Sequence, residues 1–295
     1  MEQKKHLLAP GHTACAGCGL SMGARMVVDA AGPNTIIANC TGCLEVFTTR
    51  YPQSAWEVPW VHSLFENGAA IGAGIETALK ALGREGEARV IAQGGDGGTA
   101  DIGLQALSGM WERGHDVLYI CYDNEAYMNT GVQRSSQTPT WSNTSTTPTG
   151  KISYGNPTRK KNMFQIAVAH DVAYAATATV GFDMDLKAKV KKALSIRGPK
   201  YLHVLVPCPL GWKVESKNTI KIAKKAVNCG IFPLLEFENG KVTGRKIGTI
   251  EPVNEYLKMQ GRFKHIVADT DEAKKHVADI QKLADENIEK YGLKA

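Results

Sequence analysis

Ala88-Arg89-Val90-Ile91-Ala92-Gln93 runs straight into Gly94-Gly95-Asp96-Gly97-Gly98, and a helical stretch follows from about Ala100 to Arg113. A short apolar run rich in β-branched residues, closed by glycines and followed by helical periodicity, reads as a buried strand, a tight turn and a helix. Working outward, Val117-Leu118-Tyr119-Ile120-Cys121-Tyr122 is a second buried strand, ending at Asp123-Asn124. On the other side, Thr35-Ile36-Ile37-Ala38 is a short strand feeding a cysteine and glycine cluster, and a Gly/Ala-rich helix is expected from Gly68 to Leu82. Further along, Phe164 to Ala169 reads as helix, Ala173 to Thr179 as strand, Asp185 to Ser195 as helix and Tyr201 to Val206 as strand. Strand and helix alternate throughout, so the expected class is α/β, with a doubly wound, mostly parallel sheet.

Two segments depart from that alternation. Residues 129–162 are polar, rich in Thr, Ser, Asn, Gly and Pro, and carry no apolar periodicity. They are expected to form a long ordered loop, and loops of that length are usually functional or disordered. From Phe232 onward, the Leu234 to Val242 run centred on Asn239-Gly240 reads as a hairpin, and residues 271–291 as a terminal helix. The division expected is an α/β domain over residues 1–230 and a C-terminal arm over 231–295, packing on that domain or on a partner subunit.

With 295 residues, 43% of them hydrophobic, the chain can bury a substantial core. No stretch approaches the roughly 20 apolar residues of a membrane span, and the charged start Met1-Glu2-Gln3-Lys4-Lys5-His6 precedes no signal-like apolar run. The cytoplasm is the expected location. The net charge of +6 is unevenly spread: residues 1–150 hold 9 basic and 14 acidic groups, 151–225 hold 15 and 4, and 226–295 hold 11 and 11. The basic middle segment reads either as a solvated helix surface, with Lys187, Lys189, Lys191 and Lys192 facing outward, or as a docking face for an acidic partner. No nucleic-acid module accompanies the charge, so nucleic acid is not an expected partner.

Gly95-Asp96-Gly97 and Asn124 are separated by 26 residues. That is the spacing by which thiamine diphosphate enzymes hold the diphosphate through Mg2+. The glycines, Gly98 included, let backbone N–H groups approach phosphates at a helix start, and Asp96 and the Asn124 amide supply hard oxygen ligands. Neighbouring parallel strands end side by side, so the two ligands can meet at one ion. A tight turn alone would also explain Gly-Asp-Gly; the second strand end at the right distance favours the functional reading.

Of seven cysteines, four form two Cys-x-x-Cys pairs, Cys15/Cys18 and Cys40/Cys43. In a reducing compartment such pairs favour metal or redox work over disulfides. Taken alone, the Cys15/Cys18 pair fits zinc, redox or cluster chemistry equally, and with the second pair four thiolates could make a tetrahedral zinc site or a 4Fe-4S site. Pro207-Cys208-Pro209 would present a further thiol in a turn fixed by prolines.

At this point the chain resembles a known family. Gly94 to Gly103, Asp123 to Gln133, Thr138-Pro139 and Thr146 to Lys151 resemble the pyruvate:ferredoxin oxidoreductases, within the wider 2-oxoacid:ferredoxin oxidoreductase family. The resemblance extends over most of residues 8–262, from Pro10-Gly11-His12 to Gln260-Gly261-Arg262-Phe263. One departure is Asp123-Asn124, where many thiamine enzymes have Asn-Asn.

What the resemblance implies is a catalytic beta subunit of the thiamine-diphosphate-binding fold. Mg2+ would be held by Asp96, Asn124 and the backbone carbonyl of Ala126, with His12 beside the cofactor and Asn129 near the substrate carbonyl. The 4Fe-4S cluster would sit on Cys15, Cys18, Cys43 and Cys208, leaving Cys40 as a spare thiol and Cys121 and Cys229 as core residues. The implied reaction is oxidative decarboxylation of a 2-oxoacid, first of all pyruvate, giving acyl-coenzyme A and CO2 and passing electrons to ferredoxin in anaerobic metabolism. The glutamate that activates the cofactor comes from another subunit in this family, so alpha, gamma and ferredoxin-like delta subunits are implied partners. Glu45 and Glu66 are nearby carboxylates that ordinary turn or helix contacts explain, and Arg134 and Lys151 could face substrate or coenzyme A. His62 and His203 read as core or surface residues. Branched-chain 2-oxoacids, 2-oxoglutarate or oxalate remain alternative substrates. A zinc-bearing thiamine enzyme without redox function, or a non-catalytic subunit, are the rival classes.

Overall fold

The computed structural model describes residues 6–50 and 52–295. The start of the chain, Met1 to Lys5, lies outside the described residues. In chain order the elements are α1 (Gly19–Ala31), β1 (Thr35–Asn39), α2 (Cys43–Thr48), β2 (Trp60–His62), α3 (Gly68–Ala81), β3 (Arg89–Gly95), α4 (Asp96–Ala100), α5 (Leu104–Glu112) and β4 (Val117–Asp123). The long loop follows, then α6 (Met163–Ala169), β5 (Tyr174–Thr179), α7 (Asp183–Ser195), β6 (Lys200–Leu205), α8 (Pro209–Trp212) and α9 (Thr219–Asn228). The chain closes with β7 (Leu235–Glu238), β8 (Lys241–Gly244), α10 (Val253–Leu257) and α11 (Asp271–Lys290).

The strands form one eight-stranded sheet in the order β2-β1-β3-β4-β6-β5-β7-β8. From β2 to β5 all neighbours run parallel; β7 joins β5 antiparallel and β8 joins β7 antiparallel. Strands covered on both faces must be apolar on both, and the period of two sorts their side chains. Ile37, Ile91, Ile120 and Leu202 point to the face covered by Val27 and Val28 of α1 and Leu186 and Val190 of α7. Ala38, Ala92, Tyr119 and Tyr201 point to the face covered by α3 and by Leu107, Met110 and Trp111 of α5. This is the doubly wound, mostly parallel α/β fold that the alternation predicts.

The C-terminal hairpin does form around Asn239 and Gly240, both with positive φ (50° and 73°), and it extends the main sheet. Beyond it, Tyr256, Leu257, Phe263, Ile280 and Ala284 share a third apolar cluster with Trp212 and Ile222.

The helix expected from about Ala100 to Arg113 is instead two helices. The first begins at Asp96 itself, the chain breaks at residues 101–103, and α5 resumes at Leu104. The cause is a fold-back in which the Ile102 N–H returns to the Gly97 carbonyl at 3.2 Å and Gly103 lies against Gly98 so closely that a Cβ there would stand 3.1 Å from the Glu66 carbonyl oxygen. Residues 124–162 contain no helix or strand, as expected of the loop, but they are tightly folded: Ser135, Gln137, Thr138, Ser142 and Asn156 are buried.

The outward-facing reading of the α7 lysines is wrong at Lys189, which is buried. Its Nζ donates to Asp185 Oδ2 at 2.8 Å and to the Thr177 carbonyl at 2.9 Å. The basic segment is also far less free than its sum of charges suggests. Arg159, Lys160, Lys161, Lys187, Lys192, Arg197, Lys200, Lys217 and Lys225 each pair with a carboxylate, several of them supplied by distant parts of the chain. Among the described residues, no helix is long and apolar enough to cross a membrane.

Candidate active site

In an open parallel sheet, ligands bind beyond the carboxyl ends of the strands, where successive connections diverge to opposite sides. Here the chain leaves β1 for β2 on one side and takes β3 on the other, so the divergence lies between β1 and β3. A cavity of about 300 Å3 opens there. Its walls come from the ends of three adjacent strands: Asn39 to Leu44 after β1, Gly94 to Gly98 after β3, and Asn124 and Ala126 to Thr130 after β4.

Three acceptor oxygens meet in that cavity. The side-chain oxygen of Asn124 stands 2.8 Å from the Ala126 carbonyl oxygen and 3.0 Å from Asp96 Oδ1. Turned over, the amide would instead donate to both, so the arrangement as it stands has acceptors on all sides and no donor among them. Octahedral Mg2+ holds oxygens at 2.0–2.1 Å, which puts neighbouring ligands about 2.9 Å apart. The two separations from the Asn124 amide match edges of such an octahedron. Asp96 is buried, and its other oxygen accepts from Ser135 Oγ. Burial, and then the charge of Asp123, raise its carboxyl well above the usual range. The residues present fit a hard divalent cation.

The glycines of the turn have separate tasks. A Cβ on Gly97 would collide with the Tyr127 ring, and one on Gly98 would stand 3.0 Å from the Phe65 carbonyl oxygen, whereas Gly95 faces open space. The close approach required at Gly97 is thus to an aromatic ring of the chain itself. Tyr127 lines the cavity and donates through its hydroxyl to Asp101 Oδ2 at 2.7 Å.

Cys43, the first residue of α2, lines the same cavity. Burial pushes its thiol up to about 12, with the charges of Cys208, Cys18 and Cys15 next in effect. The Cys18 and Cys208 thiols are also raised, first by burial. These four residues from three distant stretches are therefore neighbours, and the backbone shows what gathers them. The Gly19 N–H donates to the Pro207 carbonyl at 3.1 Å, and Thr219 Oγ1 donates to the Gly17 carbonyl at 2.6 Å. Gly17 has φ of +70°, and a Cβ there would stand 2.8 Å from Ser216 Cα, so only glycine lets the loop of the first pair lie on the segment after Cys208. Cys15 is exposed, and Cys18, Cys43 and Cys208 are half-buried.

Among the described residues, no three His, Cys, Asp or Glu side chains converge closely enough to share one ion. Four thiolates on one zinc would stand about 3.8 Å apart, given Zn–S bonds near 2.3 Å; a cubane spreads its four thiolates over four irons. Cys40 lines the same cavity but is not among the charges that act on Cys43. It is buried against Gly68 and Gly94, with Sγ 3.8 Å from the Tyr119 hydroxyl. Cys121 and Cys229 are fully buried in the core, as expected.

Asn129 lines the cavity at its exposed rim. His12 does not line it; its ring lies 5.5 Å from Phe47, and its buried Nδ1 has no hydrogen-bond partner. Glu45 and Glu66 are half-buried and likewise absent from its walls. Arg134 is taken up within the loop, donating to Thr158 Oγ1 at 2.8 Å, and Lys151 is exposed. His62 meets Thr41 Oγ1 at 2.8 Å on the surface. His203 is a core residue, but one with a charged partner: Nε2 lies 2.9 Å from Asp123 Oδ2. Ser135, Tyr127 and Lys160 border or support the site without having been singled out in the sequence; Ser135 and Lys160 lie in aperiodic polar sequence that gives no local signal.

Residues 40–204 match the family described as thiamine pyrophosphate enzyme, C-terminal TPP binding domain. Pyruvate synthase subunit PorB of Methanosarcina barkeri is 51% identical over 98% of both chains, and PorB of Methanocaldococcus jannaschii is 52% identical over the same shares. The chain belongs to the 2-oxoacid:ferredoxin oxidoreductase family, among its thiamine-binding beta subunits. Within that family, ketoisovalerate oxidoreductase subunit VorB of Pyrococcus abyssi is 48% identical over 87% of this chain and 85% of its own. A solved 2-oxoglutarate:ferredoxin oxidoreductase from Magnetococcus marinus shares the fold, with a TM-score of 0.57, 21% identity and coverage of 76% of this chain and 81% of that one. As a 2-oxoacid:ferredoxin oxidoreductase subunit with a thiamine-binding domain, the chain is part of an oxidoreductase that works with partner chains.

Proposed function

We propose that this beta subunit holds thiamine diphosphate through Mg2+ at Asp96, Asn124 and the Ala126 carbonyl, carries one 4Fe-4S cluster on Cys15, Cys18, Cys43 and Cys208, and serves the oxidative decarboxylation of pyruvate. The observation that carries the reading is the trio of acceptor oxygens, spaced 2.8 and 3.0 Å, at the divergence point of the sheet. Thiamine diphosphate, when bound, supplies the carbanion chemistry that removes CO2, and the cluster supplies a one-electron outlet towards ferredoxin. The residues of the chain bind and orient. Asp96, kept in place by Ser135, answers the cation; Gly95 leaves the cavity floor open for a diphosphate; Asn129 stands at the rim where a 2-oxoacid carbonyl would enter. Cys43 belongs to both the cavity wall and the thiol group, so it would link the residues that hold the cofactor with those that hold the cluster.

Coenzyme A as acyl acceptor, the alpha, gamma and delta subunits, ferredoxin and a cytoplasmic setting complete the reading. In it, residues 1–230 carry the catalytic groups and 231–295 serve as an arm; His12, beside Phe47 and outside the cavity wall, would act on the cofactor only from behind that wall. Because the activating glutamate would come from another subunit, the isolated chain is expected to be inactive. The VorB relative supports branched-chain 2-oxoacids as the second reading of substrate. Turnover of the anaerobically purified complex with pyruvate, 2-oxoisovalerate, 2-oxoglutarate and oxalate separates these. Asp96→Ala in an assembled complex is expected to release the cofactor, and wild-type thiamine diphosphate content in that variant would overturn the site.

A further inference from the structure

Asn124 and Ala126, two of the three converging oxygens, flank Glu125, whose backbone is left-handed at φ +71°. A non-glycine residue keeps such a conformation only where its surroundings over-determine it. Here they do. The Glu125 N–H donates to Asp123 Oδ1 at 2.8 Å, Thr138 Oγ1 donates to the Glu125 carbonyl at 2.8 Å, and Trp212 Nε1 donates to the Asn124 carbonyl at 2.8 Å.

The carboxylates on either side of Asn124 are held by two cations from remote parts of the chain. Lys160, at the far end of the long loop, donates to Asp123 Oδ2 and to Glu125 Oε1, both at 2.7 Å. Arg262, in the segment before α11, donates through Nη2 to Glu125 Oε2 and through Nε to Gln260 Oε1 at 2.9 Å. Its guanidinium lies 3.9 Å from the Trp212 ring, and the side chain is only 2% exposed. Asp123 also meets His203 Nε2 at 2.9 Å, so Asp123 and Glu125 are held by Lys160, Arg262 and His203, whereas buried Asp96 is held by the Ser135 hydroxyl and makes no ion pair among the described residues. Lys160 and Glu125 also line a second cavity of about 380 Å3.

Resting on the Mg2+ reading above, we infer that Lys160 and Arg262 are positioning residues for the divalent cation. They hold Asp123 and Glu125 so that the left-handed turn between them aims the Asn124 amide and the Ala126 carbonyl at Asp96. Neither touches the ion. Groups that orient metal ligands in this way typically change metal affinity by about 10- to 100-fold when removed.

The test uses the assembled complex, stripped with a chelator and titrated with MgCl2 at fixed thiamine diphosphate, with retained cofactor measured after gel filtration. Lys160→Met is expected to raise the half-saturating Mg2+ concentration by about tenfold or more, while the Michaelis constant for pyruvate at saturating Mg2+ stays unchanged. Lys160→Arg is expected to recover part of the loss. A lower melting temperature with an unchanged Mg2+ requirement would assign Lys160 a purely structural role and overturn the inference. Should Lys160→Met fail to assemble, Glu125→Gln keeps the volume and weakens both ion pairs, and an unaltered Mg2+ requirement there overturns the inference equally. Failure of the wild-type complex to retain thiamine diphosphate at any Mg2+ concentration defeats the underlying reading instead.

Discussion

Gly97 lies beneath the ring of Tyr127, so close that a methyl group on its α-carbon would stand 2.6 Å from Cζ and 2.7 Å from Cδ1. The ring cannot retreat freely, because its hydroxyl is held by Asp101 and its face meets Phe65 at a centroid distance of 5.9 Å. Gly97→Ala is therefore expected to destabilise the protein by about 1–3 kcal/mol, as overpacking does, and to weaken cofactor retention by displacing Tyr127 from the cavity wall. The double variant Gly97→Ala with Tyr127→Ala removes the obstacle, and its melting temperature should exceed that expected from adding the two single effects. Additive losses would show that Gly97 is required for another reason.

Cysteine replacements should separate the thiol group from its neighbour. With about four irons and four sulfides expected in the wild type, Cys43→Ser and Cys208→Ser should lose most of the iron and the associated visible absorbance. Cys40→Ser should retain both, because Cys40 packs against Gly68 and Tyr119 and is absent from the charges that act on Cys43. The reverse pattern, with iron lost on changing Cys40 and kept on changing Cys43, would reassign the ligands. Zinc at one atom per chain in place of iron and sulfide would remove the redox reading altogether.

Much of the sheet was legible because its strands carry their own signal. β4 is a continuous apolar run closed by an acid, and β3 an apolar run interrupted by Gln93 and closed by glycines, close to what burial on both faces demands. α1 carries its own signal as well, with Leu20, Ala24, Val27 and Val28 at helical spacing. Asp96 and Asn124 were findable because each ends a strand. Lys160 and Arg262 were not, since they act over 35 and 137 residues of separation and sit in sequence with no period of its own. The charge sum over residues 151–225 misled for the same reason: partners such as Asp116, Glu236 and Glu251 lie outside the segment.

A pH dependence is expected from Glu76 in α3, well away from the cofactor cavity. Burial pushes its carboxyl up, but hydrogen bonds from Lys80 and His115 outweigh this and leave it below the usual carboxylate range. The His115 Nδ1 contact is 3.0 Å, and Glu76 also accepts from the Asp116 N–H at 3.4 Å. A carboxyl depressed on folding stabilises the protein above its unfolded value, near about 4.3, and that contribution is lost as pH falls through the folded value. Unfolding by urea at a series of pH values should therefore show the wild type losing stability below about pH 4.5 more steeply than Glu76→Gln. Parallel curves for the two proteins would mean that the pair with Lys80 and His115 contributes nothing.

Neighbouring lysines of α7 should behave very differently when truncated. Lys187 is partly exposed and reaches Asp183 one turn back at 3.1 Å, a contact of the kind worth only a few tenths of a kcal/mol. Lys189 is buried, and its ammonium satisfies both Asp185 Oδ2 and the Thr177 carbonyl at the edge of β5. Lys187→Ala should change stability by less than about 0.5 kcal/mol. Lys189→Ala removes a cation from a largely buried pair, leaves the Thr177 carbonyl without that donor, and opens space beneath the helix. Breaking a buried pair costs about 3–5 kcal/mol; because Asp185 retains some solvent contact, the lower end of that range is expected. Lys189→Met fills the space without the charge and should cost less than Lys189→Ala, since Asp185 can turn to water. Equal losses for Lys187→Ala and Lys189→Ala in urea unfolding would return Lys189 to the solvated surface that its place in a run of alternating lysines first suggested.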